Sequence, residues 1–360
     1  MSIVTDDRAN LGALEKELKE GGEFYEFVKF IKDNPEEKLA LCFRGNGSPK
    51  NVVIYYNNHK VWELYIGRGK KLSVRISFDH ARYSKEWKEK LEMLCSEEFQ
   101  FHSSRFQNIN NAIQKKPRKN KSSKITYSYT IGELLSTKEK FDKKFVQDSY
   151  NIIKSIIKDY FNKDLKIDFF KKQIEKDNYV VQTHKSYIEK IRQQEIYNEF
   201  DNHTNGLYIY DLEFAQRRIK GKDDNKNQPD MLGIKFENGE PKCLVLIEVK
   251  STKSAMEGGK SGLKEHLQGM ENYLKEKTFI QNRKIEAKNI ITLYKELGLH
   301  NAENINNEAN YTKLSTGIMV ILTDEAAKTF ESKYRKNLEK YLPEYKIMPP
   351  DTKGRIIIKK

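Results

Sequence analysis

A mixed α/β fold is predicted for this 360-residue chain, and three features of the residue pattern carry that expectation. Two long helical patterns, about 137–161 and 169–200, repeat apolar residues at spacings of three to five; the first carries Phe141, Phe145, Tyr150, Ile153, Ile157 and Tyr160. Alternation then replaces that period in three runs, 206–215, 230–236 and 242–251, with Asn238-Gly239 between the last two as a hairpin turn signal. Helical patterns at 263–276 and 285–297, a strand at 317–322 and a helix around 325–341 complete the order. Helix, three strands, helix, strand fits an α/β sandwich around a mixed sheet flanked by helices.

The first third reads as a unit of its own, an N-terminal α+β domain over 1–111. A helical opening at about 11–32 gives way to strand runs at 39–44, 51–56, 60–66 and 71–78. Asn57-Asn58 lies between the second and third of these, and Asn tolerates the positive φ of a tight turn, so a β-meander is expected. Ser84 is placed to cap a helix that follows. Residues 112–124, rich in Lys and Arg, read as a basic linker, and 125–360 as the second domain with a helical N-terminal extension.

Sixty-six Lys and Arg stand against 52 Asp and Glu, a formal charge of +14. Such a balance favours a polyanionic partner, nucleic acid foremost, through phosphate contacts and counterion release. A Lys- and Asn-rich composition inherited from an AT-rich genome gives the same count. Cys42, Cys95 and Cys243 match no disulfide framework or zinc spacing, which fits a reducing compartment. No signal-peptide pattern opens the chain and no apolar run approaches the ~20 residues of a membrane span, so a cytoplasmic protein away from membranes is expected.

The chemistry concentrates where an apolar run ends in Glu248-Val249-Lys250, after Pro229-Asp230 on the preceding strand. Alternate strand residues share a face, so Glu248 and Lys250 project together, and Asp230 on the neighbouring strand would bring two carboxylates and an amine to one place. Carboxylates hold Mg²⁺ or Mn²⁺, and Mg²⁺ keeps several waters while taking one or two protein carboxylates. Asp230 and Glu248 suffice, and the Val249 carbonyl adds a third oxygen. Glu-x-Lys alone says little here, since Glu17-Leu-Lys19, Glu86-Trp-Lys88 and Glu286-Ala-Lys288 repeat it. Only the copy at 248–250 ends a run typical of a buried central strand, where unpaired charge is costly. The competing reading is an exposed charged strand end in a generic sheet.

Pro229-Asp230 with Glu248-Val249-Lys250, in that order of elements, resembles the PD-(D/E)XK nuclease superfamily over about residues 185–325. The resemblance implies a restriction-endonuclease-like mixed sheet and Mg²⁺-dependent (or Mn²⁺-dependent) hydrolysis of DNA phosphodiesters. Asp230 and Glu248 would be metal ligands and Lys250 would stand at the attacking water. An upstream acidic residue is also implied, with Glu213 favoured over Glu199 and its neighbour Glu195. Defence against foreign DNA, including phage, is the setting that family analogy suggests. A nuclease fold that binds nucleic acid without cutting is the alternative.

Other segments have a plainer role beside a functional one. Lys264, His266 and Gln268 on the helix after the third strand can touch a phosphate or position water, or be ordinary surface groups. Residues 258–261, Gly-Gly-Lys-Ser, lack the spacing of a nucleotide-binding phosphate loop. Tyr55, Tyr56, Trp62 and Tyr65 can stack on bases, but strands favour aromatics and packing is the stronger expectation. The N-terminal domain is expected to select a target, ligand or partner, through homo-oligomer contacts or a protein partner.

Overall fold

Two helices open the first part of the chain, α1 (Ala13–Leu18) and α2 (Tyr25–Asp33). The spacing of Phe27, Val28, Phe30 and Ile31 puts an apolar stripe on one side of α2, and all four are buried. Trp62 receives that stripe: its ring lies 5.2 Å from Phe27 and 5.7 Å from Phe30, and its indole N–H donates to Ser149 Oγ at 2.9 Å. The computed structural model describes residues 12–44, 51–66, 72–78, 116–119, 125–135, 141–147, 149–151, 154, 183–199, 206–212, 229–253, 262–306, 308–336 and 344–360. The helix expected from Ser84 lies outside them.

Strands β1 (Ala40–Arg44), β2 (Asn51–Tyr56), β3 (His59–Ile66), β4 (Leu72–Phe78), β5 (Lys116–Lys119) and β6 (Ile125–Leu135) form one six-stranded sheet in the order β1-β2-β3-β4-β6-β5. Asn57 and Asn58 turn β2 into β3 with φ of 49° and 56°, as the sequence required. Tyr55, Trp62 and Tyr65 are buried, so packing accounts for them. The sheet runs past the expected domain boundary. β5 lies within the stretch 112–124 read as a linker, and β6 pairs antiparallel with both β5 and β4. Accordingly, the chain divides into two units, one of 12–41 and 48–184, the other containing 42–47 and 185–360. The boundary between the units falls at 184/185, beyond the expected one at 124/125.

The second unit holds α3 (Thr183–Glu199), β7 (Leu207–Leu212), β8 (Met231–Glu237), β9 (Glu240–Lys250), α4 (Leu263–Lys275), α5 (Lys277–Leu297), β10 (Ser315–Leu322), α6 (Asp324–Thr329), β11 (Lys346–Ile347) and β12 (Ile356–Lys359). Its sheet is mixed, in the order β11-β12-β10-β9-β8-β7, with only the β9–β10 pairing parallel. A parallel pair needs a crossover, which α4 and α5 supply. Asn238 and Gly239, both at positive φ, close the β8–β9 hairpin. β9 is central, and its residues from Leu244 onward are buried, Glu248 and Lys250 among them. β11 and β12 extend the sheet beyond anything read from the sequence, and α6 passes through a π-helical turn at Phe330–Tyr334, so that the described residues 324–336 are helical throughout. No described helix is long and apolar enough to cross a membrane.

Gly233 sits on β8 where a Cβ would come within 2.9 Å of Leu207 Cδ1 and 3.1 Å of the Tyr208 carbonyl oxygen. Gly233→Val is expected to lower stability by about 1–3 kcal/mol through overpacking, measured as a shift in the denaturant midpoint. Substitution at the open Asn238-Gly239 turn tests backbone conformation instead, since a Cβ on Gly239 meets nothing within 4 Å.

Candidate active site

β8 begins at Met231, which pairs with Ile247, whereas β9 continues to Lys250. Backbone groups of β9 beyond Ile247 on that side have no strand to bond, and an unsatisfied buried N–H costs about 1–3 kcal/mol. Side-chain carboxylates take the place of the missing strand. Asp230 Oδ2 accepts the Val249 N–H at 2.8 Å, and the Glu189 carboxylate on α3 accepts the Ser251 N–H. The other edge of β9 is satisfied from β10 and its sequel: Thr323 N–H donates to the Lys250 carbonyl at 2.9 Å.

Glu248 and Lys250, two residues apart, share one face of the sheet, as the sequence predicted. Their side chains form an ion pair, at 0% and 6% exposure. From α4, His266 Nδ1 lies 2.7 Å from Glu248 Oε1. Lys250 and His266 are the two groups that oppose the buried charge of Glu248. Three carboxylates, an ammonium and an imidazole thus surround the end of one strand.

Their charges are strongly interdependent. Burial pushes the Asp230 carboxyl well above the usual carboxylate range, and the nearby charges of Glu248 and Glu189 push it further, against Lys250 and the Val249 N–H. Glu189 is raised in the same way, by burial first and then by Glu248, with Lys250 and the Ser251 N–H opposing. Glu248 goes the other way: burial acts to raise it, but Lys250 and His266 outweigh burial and hold it ionised. Burial disfavours the Lys250 ammonium, yet Glu248, Asp230 and Glu189 together raise its pKa, so it is a fixed positive charge and no base at neutral pH. The cluster carries more potential negative charge than its one lysine can balance.

Asp230, Glu248 and Lys250 come together as the sequence analysis expected. The Val249 carbonyl shares the strand edge of its N–H, the side where β8 has ended. Glu213 lies outside the described residues. Glu199 is held elsewhere: Lys353 and Arg355 draw its pKa down against the effect of burial, with Arg355 Nη1 at 2.6 Å. Glu195 pairs with Arg192 at 2.5 Å. The α3 acid that reaches the cluster is Glu189, ten residues before Glu199. A signal existed, since Glu189 falls one helical turn before buried Gln193 and two before buried Ile196, on the inward face. His266 lies against Glu248, a contact the sequence did not foresee, whereas Lys264 and Gln268 on the same helix are exposed.

Among the described residues, no three His, Cys, Asp or Glu side chains are already arranged as a metal centre. The donors nevertheless suit a hard cation: Glu248 offers a buried carboxylate held ionised, and Asp230 is destabilised by negative neighbours that a divalent charge would offset. The same destabilisation has a thermodynamic signature. A carboxyl raised in the folded state keeps a proton that the unfolded chain has released, so stability falls as pH rises from the ordinary carboxylate range through the folded value. Asp230→Asn, which keeps an oxygen for the Val249 N–H, is expected to raise the denaturation midpoint at pH 8 more than at pH 5, read by urea titration without added metal. No family model, curated protein or solved structure matches the chain in comparisons with known proteins, so the site is interpreted from its own geometry.

Proposed function

We propose that this chain is a Mg²⁺- or Mn²⁺-dependent endonuclease of the PD-(D/E)XK type, with a restriction-endonuclease-like second unit, that hydrolyses DNA phosphodiester bonds. The observation that carries this reading is the convergence of Asp230, Glu248 and Lys250 at the buried end of β9. The formal charge of +14 suits a polyanionic substrate. Cytoplasmic defence against foreign DNA, including phage, is the setting proposed, with the first unit selecting a target or partner.

Asp230 and Glu248 would hold the cation, with the Val249 carbonyl on the same edge. When bound, the cation supplies Lewis-acid charge to the phosphoryl group and acidifies a water for attack. Lys250 contributes a permanent ammonium that stabilises developing negative charge and orients the water. Val249 N–H fixes one Asp230 oxygen, and His266 holds Glu248 in place. Glu189 completes the acidic wall from α3 and fills the role of the upstream acid.

The test is cleavage of plasmid and single-stranded DNA with and without Mg²⁺ by purified protein. Glu248→Gln and Lys250→Met are each expected to lower the rate by about 100-fold or more, with the fold intact by circular dichroism. Wild-type levels of cleavage in both variants would falsify the proposal. Because burial and the Glu248 charge raise the pKa of Asp230 and Glu189, and a cation would lower it, Mg²⁺ binding is expected to release protons and to tighten as pH rises through their raised range. Titration calorimetry in buffers of different ionisation enthalpy measures that release.

One observation favours a second reading, a nuclease fold that binds nucleic acid without cutting: Lys250 and His266 both close on Glu248. That reading expects salt-sensitive DNA binding with no cleavage and no thermal shift in Mg²⁺ or Mn²⁺.

A further inference from the structure

Glu189 is brought to the cluster by α3. Among the described side chains of α3, Ile196 and Tyr197 are the buried hydrophobic ones, and both lie toward its C-terminal end. A polar attachment lies near Glu189. Arg192, three residues on and therefore on the neighbouring face, grips Asp324 with two parallel bonds, Nε to Oδ2 at 2.8 Å and Nη2 to Oδ1 at 2.9 Å. Asp324 is the first residue of α6 and takes φ of 48°, a left-handed conformation that a non-glycine residue adopts at a cost.

The segment around Asp324 is also what caps the end of β9. Thr323 N–H bonds the Lys250 carbonyl at 2.9 Å, and Ala326 N–H bonds the Ser251 carbonyl at 3.3 Å. The Ser251 N–H in turn bonds Glu189. These contacts close a ring: Glu189 to Ser251, Ser251 and Lys250 to Thr323 and Ala326, Asp324 to Arg192, and Arg192 back to Glu189 within one helical turn. Every link but one is to backbone or along the chain. The exception is the Arg192–Asp324 pair.

We propose that Arg192 and Asp324 are a positioning pair that locks Glu189 against the end of β9. As a part-exposed ion pair it adds little to global stability. Its consequence is local: without it α3 can shift away from the sheet, freeing the Ser251 N–H and removing the third carboxylate from the cluster. The pair's effect on turnover rests on the nuclease reading above, whereas its effect on Ser251 does not.

The variants are Arg192→Gln, Asp324→Asn, which still tolerates positive φ, and the two combined, with Arg192→Lys as a milder substitution that cannot make the two-pronged bond. Hydrogen exchange of the 247–253 segment, followed by mass spectrometry on the full chain, is expected to quicken by about 10-fold at Ser251 in each single variant with the global denaturation midpoint little changed. In Mg²⁺-dependent cleavage, kcat is expected to fall by about 10-fold or more with KM little affected. The double variant should lose no more than either single one, since both break the same link. Unchanged Ser251 exchange, or losses that add in the double variant, overturns the positioning role. Faster exchange at Ser251 in a protein whose wild type cleaves nothing upholds the pair and removes the nuclease reading instead.

Discussion

The candidate site depends on a mismatch of strand ends. β8 starts opposite Ile247 while β9 runs on to Lys250, which leaves donors in the middle of a sheet with no neighbouring strand. Buried amides are almost always satisfied, and here two carboxylates satisfy them, Asp230 from the chain entering β8 and Glu189 from α3. The hydrogen-bond demand of the backbone therefore gathers acids that electrostatics would disperse. Glu248 joins them because the alternation of β9 leaves it no other face, and Lys250 partly balances the resulting charge.

That cluster is costly to fold. Two of its carboxyls are pushed upward by burial and by the charge of Glu248, and the third is kept ionised by Lys250 and His266. Ordinary sheet ends satisfy their amides with a further strand residue or a hydroxyl, at far lower electrostatic cost. Strain of this kind concentrates where chemistry needs it, which separates this strand end from a solvated one. The exposure of the groups makes the same distinction: Glu248 is at 0% in the centre of the second unit's sheet, and no exposed charged strand end meets that description.

The parts of this arrangement that were legible in the sequence were those fixed by local rules. The Asn57-Asn58 and Asn238-Gly239 turns set registers, and the alternation of 242–251 placed Glu248 and Lys250 on one face. Asp230 could be assigned because a short hairpin leaves its strand no choice of partner. Residues 116–119 misled for a physical reason. Lys-Pro-Arg-Lys has the composition of a loop, but β5 is an edge strand, where proline and charge are tolerated and limit further strand pairing. β12 was missed in the opposite way: Ile356-Ile357-Ile358 is three apolar residues without a period to read, and its assignment as a strand follows from antiparallel pairing with β10.

Glu189 was illegible for a deeper reason. Its helix carries Glu189, Glu195 and Glu199, and the spacing of Glu189 to Gln193 and Ile196 ranks it above the others only once the burial of those two is known. What decides is the partner each finds in space. Glu199 meets Lys353 and Arg355 from the β11–β12 segment, Glu195 meets Arg192, and Glu189 meets a backbone amide left over by β8. The first two are thereby neutralised by basic side chains, and only the third remains an acid facing other acids. A carboxylate becomes available for chemistry when its partner is a dipole and its neighbours are like charges, and both conditions are set by tertiary structure alone. Short motifs can therefore locate the strand that carries a site, but its full complement of acids follows from which cations the fold has already spent elsewhere.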